Sequence, residues 1–463
     1  MRMTRRQLLI GAGAGALGVL LVSCTPEPAP TPTPTRTPTP LPTTKVPAPA
    51  ASLRSAWAID PYSRGAASYT RIGVQSATRD TLAEPVQGRV YFAGEATDAD
   101  NPGTIRGAIH SGESAAMRLR AVAAPGERIA VIGAGLAGAS VAANLADADL
   151  EVTVLEARDR VGGRTPSLLE DDWAVPVQLG GWLLPALAEG EEPAREESGL
   201  PETAVLASAL WRAHGDGTDG DADVDAVGNA PLEAAVAAAQ SLPTDIALAE
   251  ALTETGADLE DPGLAALLAY LATTAGADAD VLSAWFPPAL PAPALRAVVG
   301  DLDAHIRQLL GDAQLTLSSP VTRIAYDDAG VSLRLGTGES TSYDRVVVTV
   351  PLGVLQSDRI EFSPPLPFSH RGAVNALGTG HAETIWLRYD EPFWDADATI
   401  WHTVGGDHAV RTWINLQPLT GEGILVGIVG GSAAAEFAEL EEQDALLAAL
   451  TSLAPYLSSA DVG

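Results

Sequence analysis

The sequence predicts an α/β protein built around a Rossmann-like dinucleotide-binding unit, and three observations indicate this. An apolar run over Ile129–Ile132 has the character of a buried parallel strand. Three glycines in a GxGxxG spacing follow over Gly133–Gly138, and a helical pattern continues over Ala139–Leu145. A second apolar run, Val152–Leu155, then ends at Glu156, about 20 residues after the glycines, as a βαβ unit requires.

Each residue type in this motif has a physical role. Gly133 permits a tight turn, Gly135 lets a pyrophosphate approach the backbone, and Gly138 lets the helix pack closely on the strand. The free N–H groups and the dipole of the helix N-terminus favour phosphate there. Glu156 stands where a carboxylate can accept hydrogen bonds from ribose hydroxyls. The alternative is a chance glycine-rich turn, which the order of strand, helix, strand and acid argues against.

Composition limits the classes of protein that remain. At 463 residues the chain is long enough for two lobes, and its net charge of −31 disfavours nucleic acid as a partner. Such a surface attracts cationic substrates, but solubility or salt tolerance is the favoured explanation of the charge. Cys24 is the only cysteine, which excludes an internal disulfide and a cysteine tether for a flavin within the fold. Lys45 is the only lysine.

The N-terminal residues have the pattern of an export signal. Residues 1–24 combine the twin arginines Arg5 and Arg6 with a short apolar segment and a lipobox-like Leu21–Cys24. Residues 25–51 form a proline/threonine linker of extended character. We therefore expect an exported protein that is lipid-anchored at the outer face of the bacterial cytoplasmic membrane. An uncleaved N-terminal anchor is the alternative.

Further elements can be predicted on both sides of the glycine motif. Before it, Arg89–Phe92 indicates a strand and Thr104–Leu119 a helix with small residues on one face. After it, residues 320–324 and 331–335 alternate like antiparallel strands, and Tyr343–Pro351 indicates a buried strand. The pattern over Glu436–Leu453 predicts a final helix. Residues 214–225 form an acidic loop that lacks the glycine of a calcium loop, and the histidines show no metal-ligand spacing, so no metal is assigned.

Three phrases carry a resemblance to a known family. They are the RDRVGGR run over Arg158–Arg164, the FAGEAT phrase over Phe92–Thr97 with PGTIRGA after it, and the VTVPLGVL run over Val348–Leu355. Together they resemble the flavin amine oxidase family, which includes monoamine oxidases, polyamine oxidases and lysine-specific histone demethylases. The resemblance covers nearly everything after Ser52.

The resemblance implies a two-lobed fold and non-covalent FAD. It predicts a Rossmann-like FAD-binding domain over residues 52–190 and 297–370, and a substrate domain of mixed sheet and helices over residues 191–296 and 371–463. The predicted cofactor-binding residues are Gly94, Glu95, Thr104, Ile105, Gly133, Gly135, Leu136, Ala137, Gly138, Glu156, Ala157, Arg158, Gly163, Arg164, Gly180, Gly181, Trp182 and Val321. In the family the glutamate matching Glu95 meets the ribityl chain, and the valine matching Val321 contacts the adenine through its backbone.

The order of these phrases departs from the family. There the FAGEAT phrase comes near the C-terminus, whereas here it precedes the glycine motif. The chain therefore resembles a circular permutant, with the short join Ala123–Gly126 linking the family's last helix to its first strand. Termini that lie close together at the surface are the usual condition for a tolerated permutation. An artefact of gene assembly is the alternative.

The resemblance also implies a reaction, in which an amine or polyamine is oxidised by hydride transfer to flavin N5 and dioxygen becomes hydrogen peroxide. The expected partners are thus a small-molecule substrate, such as a cationic amine, and O2; the membrane is reached through the lipid anchor only. The family's lysine falls on Thr384 and a cage tyrosine on Ala67, so both are missing. Thr384, Trp394 and Tyr69 are the predicted catalytic residues, with core packing as the alternative for the two aromatic residues.

Because the lysine and the tyrosine are missing, two other functions stay open. One is an FAD-dependent oxidoreductase of the same fold that acts on a non-amine substrate. The other is a flavin-binding protein without catalytic activity that serves a structural or partner-binding role. Bound flavin is common to all three hypotheses, and only turnover of substrates separates them.

Overall fold

The computed structural model describes residues 44–187, 192–197, 199–214 and 223–457. Residues from Thr43 onward belong to one compact unit. The predicted signal and most of the linker lie outside the described residues, as does most of the acidic loop at 214–225. Within the described ranges, no helix is both long enough and apolar enough to cross a membrane.

The described residues form helices and strands in a mixed order. The α-helices are Ala77–Ala83, Ile105–Arg120, Leu136–Leu145, Ala230–Ala239, Leu248–Glu254, Pro262–Ala275, Leu302–Leu310, Leu352–Leu355, Phe368–Ala376, Gln417–Thr420, Gly431–Glu439 and Glu442–Ser452. Short 3₁₀ helices are Glu95–Thr97, Arg195–Glu197 and Ala454–Tyr456. The strands are β1 Ala51–Arg54, β2 Ala67–Tyr69, β3 Val90–Phe92, β4 Glu127–Ile132, β5 Leu150–Leu155, β6 Ser167–Leu168, β7 Val177–Gln178, β8 Leu183–Pro185, β9 Thr203–Leu206, β10 Ala209–Ala213, β11 Leu295–Val298, β12 Gln314–Thr316, β13 Val321–Asp327, β14 Gly330–Leu335, β15 Ser340–Tyr343, β16 Arg345–Val348, β17 Glu361–Ser363, β18 Gly378–Gly380, β19 Ala382–Tyr389, β20 Ile400–Val404, β21 Thr412–Asn415 and β22 Gly423–Gly430.

A five-stranded sheet, ordered β12-β5-β4-β16-β3 with every pair parallel, is the centre of what we call the Rossmann lobe. Strands β3, β4 and β16 are mostly apolar and buried, as expected of parallel strands that are covered on both faces, whereas the edge strand β12 is partly exposed. The helices Ile105–Arg120 and Leu136–Leu145 pack against each other beside it, and a Cβ on Gly112 would lie 2.4 Å from the Ala137 carbonyl oxygen. An adjoining sheet, β15-β14-β13-β17, shares a hydrophobic cluster with the five strands.

A six-stranded sheet, ordered β1-β19-β22-β21-β20-β10, is the centre of the second lobe. The helix Pro262–Ala275 packs directly on it, since a Cβ on Gly430 would meet the Ala272 carbonyl group at 2.2 Å. Buried side chains of this sheet belong to three clusters, one of them rich in tryptophan and tyrosine and another shared with the Rossmann lobe. Val46 and Tyr456 both belong to the aromatic-rich cluster, so the first and last described segments meet in the same lobe.

Most predicted elements form within a few residues of their predicted bounds, with two differences. Ala51–Arg54 is an edge strand of the six-stranded sheet, so the linker ends before residue 51 and Ser52–Arg54 does not belong to the Rossmann lobe. The predicted helix over Glu436–Leu453 is two helices, because Leu440 and Glu441 both adopt extended backbone. Neither glycine nor proline marks this break in the sequence.

Candidate functional site

A cavity of about 430 Å³ opens at the carboxyl ends of the parallel strands. Its lining includes Ile132 at the end of β4, Leu155 at the end of β5, and Thr349 just after β16. Gly94, which follows β3, lies in the same wall. Four parallel strands thus end at one cavity, and this is the edge where open α/β sheets bind their ligands. The volume is within the usual range for small-molecule and cofactor sites.

The glycine motif forms one wall of this cavity from backbone alone. Gly133 has φ +112°, and a Cβ there would lie 2.6 Å from the Thr349 hydroxyl. Gly135 precedes the helix Leu136–Leu145 without any side-chain cap, so the first N–H groups of the helix have no side-chain acceptor. Gly135 also faces Gly163, whose Cα would be 3.7 Å from an added Cβ. The wall is therefore suited to a phosphate that contacts backbone N–H groups.

Glu156 is held rigidly at the end of β5. Its buried carboxylate accepts the N–H of Ala134 at 2.7 Å and the N–H of Arg158 at 2.9 Å. A carboxylate has about four acceptor sites, so these two bonds leave capacity for further donors such as a ribose diol. The carboxylate is thus oriented by the glycine turn itself.

Glu95 and Arg164 form a buried ion pair on the other side of the cavity. Arg164 Nη1 donates to Glu95 Oε1 at 3.0 Å and to the Ala66 carbonyl at 2.7 Å. Glu95 Oε2 accepts from the Ser68 hydroxyl at 2.6 Å and from the Gly103 N–H at 2.9 Å. Burial alone would raise the pKa of Glu95, but Arg164, the Ser68 bond and Arg79 outweigh it and hold the pKa below its ordinary value.

A second helix N-terminus reaches the same cavity. Thr104 caps the helix Ile105–Arg120 by accepting the N–H of Gly107 at 3.0 Å, and both Thr104 and Ile105 line the cavity. The chain turns tightly before the cap, where Gly103 has φ +75°. Two helix N-termini therefore contribute to one cavity, one that precedes the glycine motif in the sequence and one that begins within it.

Arg158 fastens a separate segment over the cavity. Its Nη2 donates to Asp60 Oδ1 at 2.5 Å and to Ser63 Oγ at 2.8 Å, and its guanidinium lies 5.5 Å from the Tyr62 ring centroid. Tyr62 and Arg359 line the cavity, although no sequence signal marked either of them. Further lining residues that sequence reasoning missed are Ala66, Gly103, Ala108, Ile132, Leu155, Gly162, Thr165, Ser319, Pro320, Thr322, Thr349, Val350, Pro351, Val354 and Ile360. Many of these adjoin a predicted residue or end a predicted strand, which is the signal that could have found them.

All but three of the predicted cofactor-binding residues line this cavity. Gly138 lies behind it, where a Cβ would be 2.0 Å from the Gly133 carbonyl oxygen, so its role is packing of the helix. Gly180 also lies behind the wall, since a Cβ there would be 1.9 Å from the Arg164 carbonyl oxygen. Trp182 is buried, with its ring centroid 5.2 Å from that of Trp386.

The three predicted catalytic residues do not line the cavity, and they lie in three different environments. Thr384 is buried on β19, where its hydroxyl donates to the Leu179 carbonyl at 3.1 Å. Trp394 belongs to the aromatic-rich cluster of the second lobe. The Tyr69 ring packs over Gly378 on the paired strand β18. It also contacts the cluster of buried side chains around the helix Pro262–Ala275. For each of them the structure gives a packing or hydrogen-bonding role.

The second lobe holds a buried aromatic group of its own. The His402 ring centroid lies 4.3 Å from that of Trp211 and 4.5 Å from that of Tyr270. Burial lowers the pKa of His402 to about 3 and raises that of Tyr270 to about 12. Both side chains are therefore neutral near pH 7. Among the described residues, no group of three His, Cys, Asp or Glu side chains could hold a metal ion.

Comparison with known proteins places this geometry among flavoenzymes. A sequence model described as flavin containing amine oxidoreductase matches residues 38–120 and 255–462, which is more than half of the chain. A second, described as NAD(P)-binding Rossmann-like domain, matches residues 131–189.

Curated relatives include the probable polyamine oxidase 4 of Arabidopsis thaliana, 27% identical over 348 residues and covering 68% of each chain. Polyamine oxidase 4 of Oryza sativa subsp. japonica is 28% identical over 350 residues, covering 69% of this chain and 70% of that one. Among solved structures, cyclohexylamine oxidase from Brevibacterium oxydans IH-35A superimposes with a TM-score of 0.57 at 22% identity, over 73% of this chain and 83% of its own. A putrescine oxidase bound to putrescine gives 0.54 at 19% identity, over 72% and 82%.

Proposed function

Because the chain belongs to the flavin-containing amine oxidoreductase family, we propose that it oxidises a small amine or polyamine with dioxygen as the electron acceptor. The predicted family, the α/β fold with a Rossmann-like unit, and FAD as cofactor are confirmed. The chain is thus an FAD-dependent amine oxidase-like enzyme. The identity of the substrate and the steps of the reaction belong to the proposal.

The observation that supports the proposal most strongly is that two helix starts and the ends of four parallel strands of the Rossmann lobe meet at one cavity. The two uncapped or tightly turned helix starts, at Gly135 and Thr104, supply N–H groups for the phosphates and for polar atoms of a ring system. Glu156 supplies acceptors for a ribose. Val321, the first residue of β13, lines the cavity as well. The residues present therefore offer the donors and acceptors that FAD requires, with a glycine wall that carries no large side chain.

A flavin held by these residues would supply N5 as acceptor for a hydride equivalent from the amine-bearing carbon, with O2 as the oxidant that is reduced to hydrogen peroxide. The chain contributes position and electrostatics. Arg164 and Glu95 neutralise each other, so this wall adds no net charge to the cavity. Arg158 holds the Asp60–Ser63 segment against the lining, which limits the access of water from that side.

Charge and relatives together favour a cationic amine as substrate. The net charge of −31 raises the local concentration of cations around the protein and speeds their encounter with it. The curated relatives over two thirds of the chain carry the name polyamine oxidase. A polyamine combines both features, because it presents several ammonium groups and has carbons bonded to nitrogen that can be oxidised.

A second candidate function is an oxidoreductase that acts on a non-amine substrate. The observation in its favour is the placement of Thr384 and Ala67 at the positions where the resemblance expects lysine and tyrosine. The Thr384 hydroxyl is bonded to the Leu179 carbonyl, and Ala67 offers only a methyl group. A flavin-binding protein without turnover would have the same two residues.

The experiment is a two-step assay on the purified chain. The absorbance spectrum should show flavin bands. No cysteine lies in the fold to tether the flavin, so denaturation should release the flavin into solution. A panel of mono-, di- and polyamines is then tested for flavin bleaching without oxygen and for peroxide release with oxygen. Bleaching by polyamines is the expected result. Bleaching by none of them, together with reduction by another substrate class, would support the second candidate instead.

We also propose that the permuted order is genuine and that the chain is exported. The placement of β3 beside β16, with Gly94 in the same cavity as Gly133, supports the first proposal. A tryptic peptide covering Ala121–Arg128 from the native source would test the join.

The proposal of export is tested with Cys24→Ser. This change should abolish labelling by a radioactive fatty acid and release the protein from the membrane fraction; unchanged labelling would contradict the proposal.

A further inference from the structure

We propose that Trp57 and Thr384 are positioning residues, which together hold the Leu179–Gly181 wall of the FAD cavity from behind through one shared carbonyl. The inference rests on the proposed function only in that this cavity is where FAD binds. It assigns a role to the residue at the lysine position, and that role is not the activation of a water molecule.

The central contact is the Leu179 carbonyl, which accepts two hydrogen bonds. Trp57 Nε1 donates to it at 2.8 Å, and Thr384 Oγ1 donates to it at 3.1 Å. The preceding carbonyl, that of Gln178, accepts from Trp386 Nε1 at 3.0 Å. Trp57, Trp386 and Thr384 are all buried, so each donor would lose the one acceptor it has among the described residues if the wall moved away.

The front of the same segment faces the cavity. Gly181 lines the cavity, and its N–H donates to the Arg164 carbonyl at 3.1 Å. Between them, Gly180 has no free space, since a Cβ there would lie 1.9 Å from that carbonyl oxygen and 3.3 Å from the Trp57 ring. A displacement of the Leu179 carbonyl is therefore passed directly to Gly181 and Arg164, which both line the cavity.

The segment that carries Trp57 is itself fixed by the neighbour of Thr384. Glu383 accepts the Ala58 N–H at 2.9 Å and the Ser55 hydroxyl, while Ser55 Oγ accepts the Thr384 N–H at 2.8 Å. Glu383 is fully buried without a cationic partner among the described residues, and burial raises its pKa. Two consecutive residues of β19 thus reach the same wall, Thr384 directly and Glu383 through the turn that presents Trp57.

This arrangement gives a reason for the side chain found at position 384. The hydroxyl of Thr384 is short enough to bond a backbone carbonyl that lies against the strand, and a lysine there would have to displace that bond. Thr384→Lys should consequently weaken FAD binding and should not raise amine turnover. A gain in turnover would indicate instead a catalytic site that has lost its lysine.

The test measures the dissociation constant of FAD, by titration of the apoprotein, and the position and shape of the flavin absorption band. Thr384→Val removes the hydroxyl at nearly constant volume, and we expect about fivefold weaker binding with a shifted band. Thr384→Ser keeps the hydroxyl and should restore both values. Thr412→Val is the matched control, because it also removes a buried threonine hydroxyl, here one that contacts His402 and not the wall.

A double variant gives the sharpest outcome. Trp57 and Thr384 share one acceptor, so the Leu179 carbonyl keeps one hydrogen bond when only one of the two donors is removed. The loss of FAD affinity in Trp57→Phe/Thr384→Val should therefore exceed the product of the losses in the two single variants. Single variants that bind FAD with wild-type affinity and an unchanged band, combined with a double variant that is merely multiplicative, would overturn the inference. A wild-type protein that binds FAD but oxidises no amine would contradict the proposed function and leave this inference intact.

Discussion

The Rossmann lobe and the second lobe use their buried polar groups differently. In the Rossmann lobe, Glu156 and Glu95 accept backbone N–H groups from the turns that form the cavity. In the second lobe, His402 is enclosed by aromatic rings, and Trp394 has a buried Nε1 without a partner among the described residues. The cavity of the Rossmann lobe is therefore shaped by carboxylates that hold backbone turns, whereas His402 and Trp394 in the second lobe mainly pack against other rings.

The largest effect should follow from breaking the ion pair of the Rossmann lobe. Arg164→Met leaves the Glu95 carboxylate buried without its partner, and we expect a loss of about 3–4 kcal/mol in the free energy of unfolding. In the wild type, Glu95 has a lowered pKa, so its contribution is present above the ordinary carboxyl pKa and is lost as the pH falls through the folded value.

The pH dependence of the variant provides the check. Without Arg164, burial acts with less opposition, so the deficit should be smaller near pH 4 than near pH 8. The double variant Glu95→Gln/Arg164→Met should recover part of the stability, since it removes the buried carboxylate that has lost Arg164, although Arg79 stays buried beside it. An Arg164→Met protein as stable as the wild type in urea denaturation at pH 8 would show that the pair does not organise this wall.

The next effect comes from the close approach at Gly138. In Gly138→Ala the new Cβ would lie 2.0 Å from the Gly133 carbonyl oxygen, so the turn or the helix must shift. We expect a loss of about 3 kcal/mol in unfolding free energy and a clearly lower flavin-to-protein absorbance ratio. Gly372→Ala is the matched control on a helix, because nothing lies within 4 Å of its Cβ. Equal flavin content in both variants would contradict the prediction.

In the second lobe, a pH effect should appear without any change in the flavin. Burial lowers the pKa of His402 to about 3, so the unfolded chain binds a proton that the folded chain refuses, and stability falls as the pH drops below about 6.5. Between pH 7 and pH 4.5 the wild type should lose roughly 2–3 kcal/mol more unfolding free energy than His402→Gln. Identical pH profiles for the two proteins would show that the imidazole is protonated in the fold.

The smallest effect is expected at Trp394. Because its Nε1 has no hydrogen-bond partner among the described residues, Trp394→Phe removes no bond and should change the free energy of unfolding by at most about 1 kcal/mol. Flavin content and the rate of flavin reduction should match the wild type. A slower reduction would restore Trp394 as a flavin-side residue and would weaken the contrast between the two lobes.

The same contrast explains how far the sequence could be interpreted. The turn at Gly133, the helix start at Gly135 and the acid Glu156 could be predicted because only certain residue types allow that backbone geometry. Tyr62 and Arg359 could not, because they reach the cavity through tertiary packing that leaves no local pattern. Resemblance located the lysine position at Thr384, but its acceptor lies more than 200 residues away in the chain.

Aromatic residues were the least predictable. Trp394 is one of the catalytic residues that the resemblance predicts, yet its ring packs against those of Phe393 and Trp401. A large apolar ring gains free energy from burial against any complementary surface, so its residue type does not reveal which surface that is. The two helices that replace the predicted Glu436–Leu453 helix illustrate the same limit, since packing selects the extended backbone at Leu440 and Glu441.

Strand β1 connects the N-terminal segment to the back of the FAD cavity. The chain enters the fold at Val46, forms the edge strand Ala51–Arg54, and continues at once into Ser55 and Trp57, which contact Glu383 and the Leu179 carbonyl. An edge strand held on one side only by antiparallel bonds to β19 is the first element to bear a force applied to the N-terminal segment. Tension on that segment would therefore be transmitted to the back of the FAD cavity before it reached any strand of the parallel sheet.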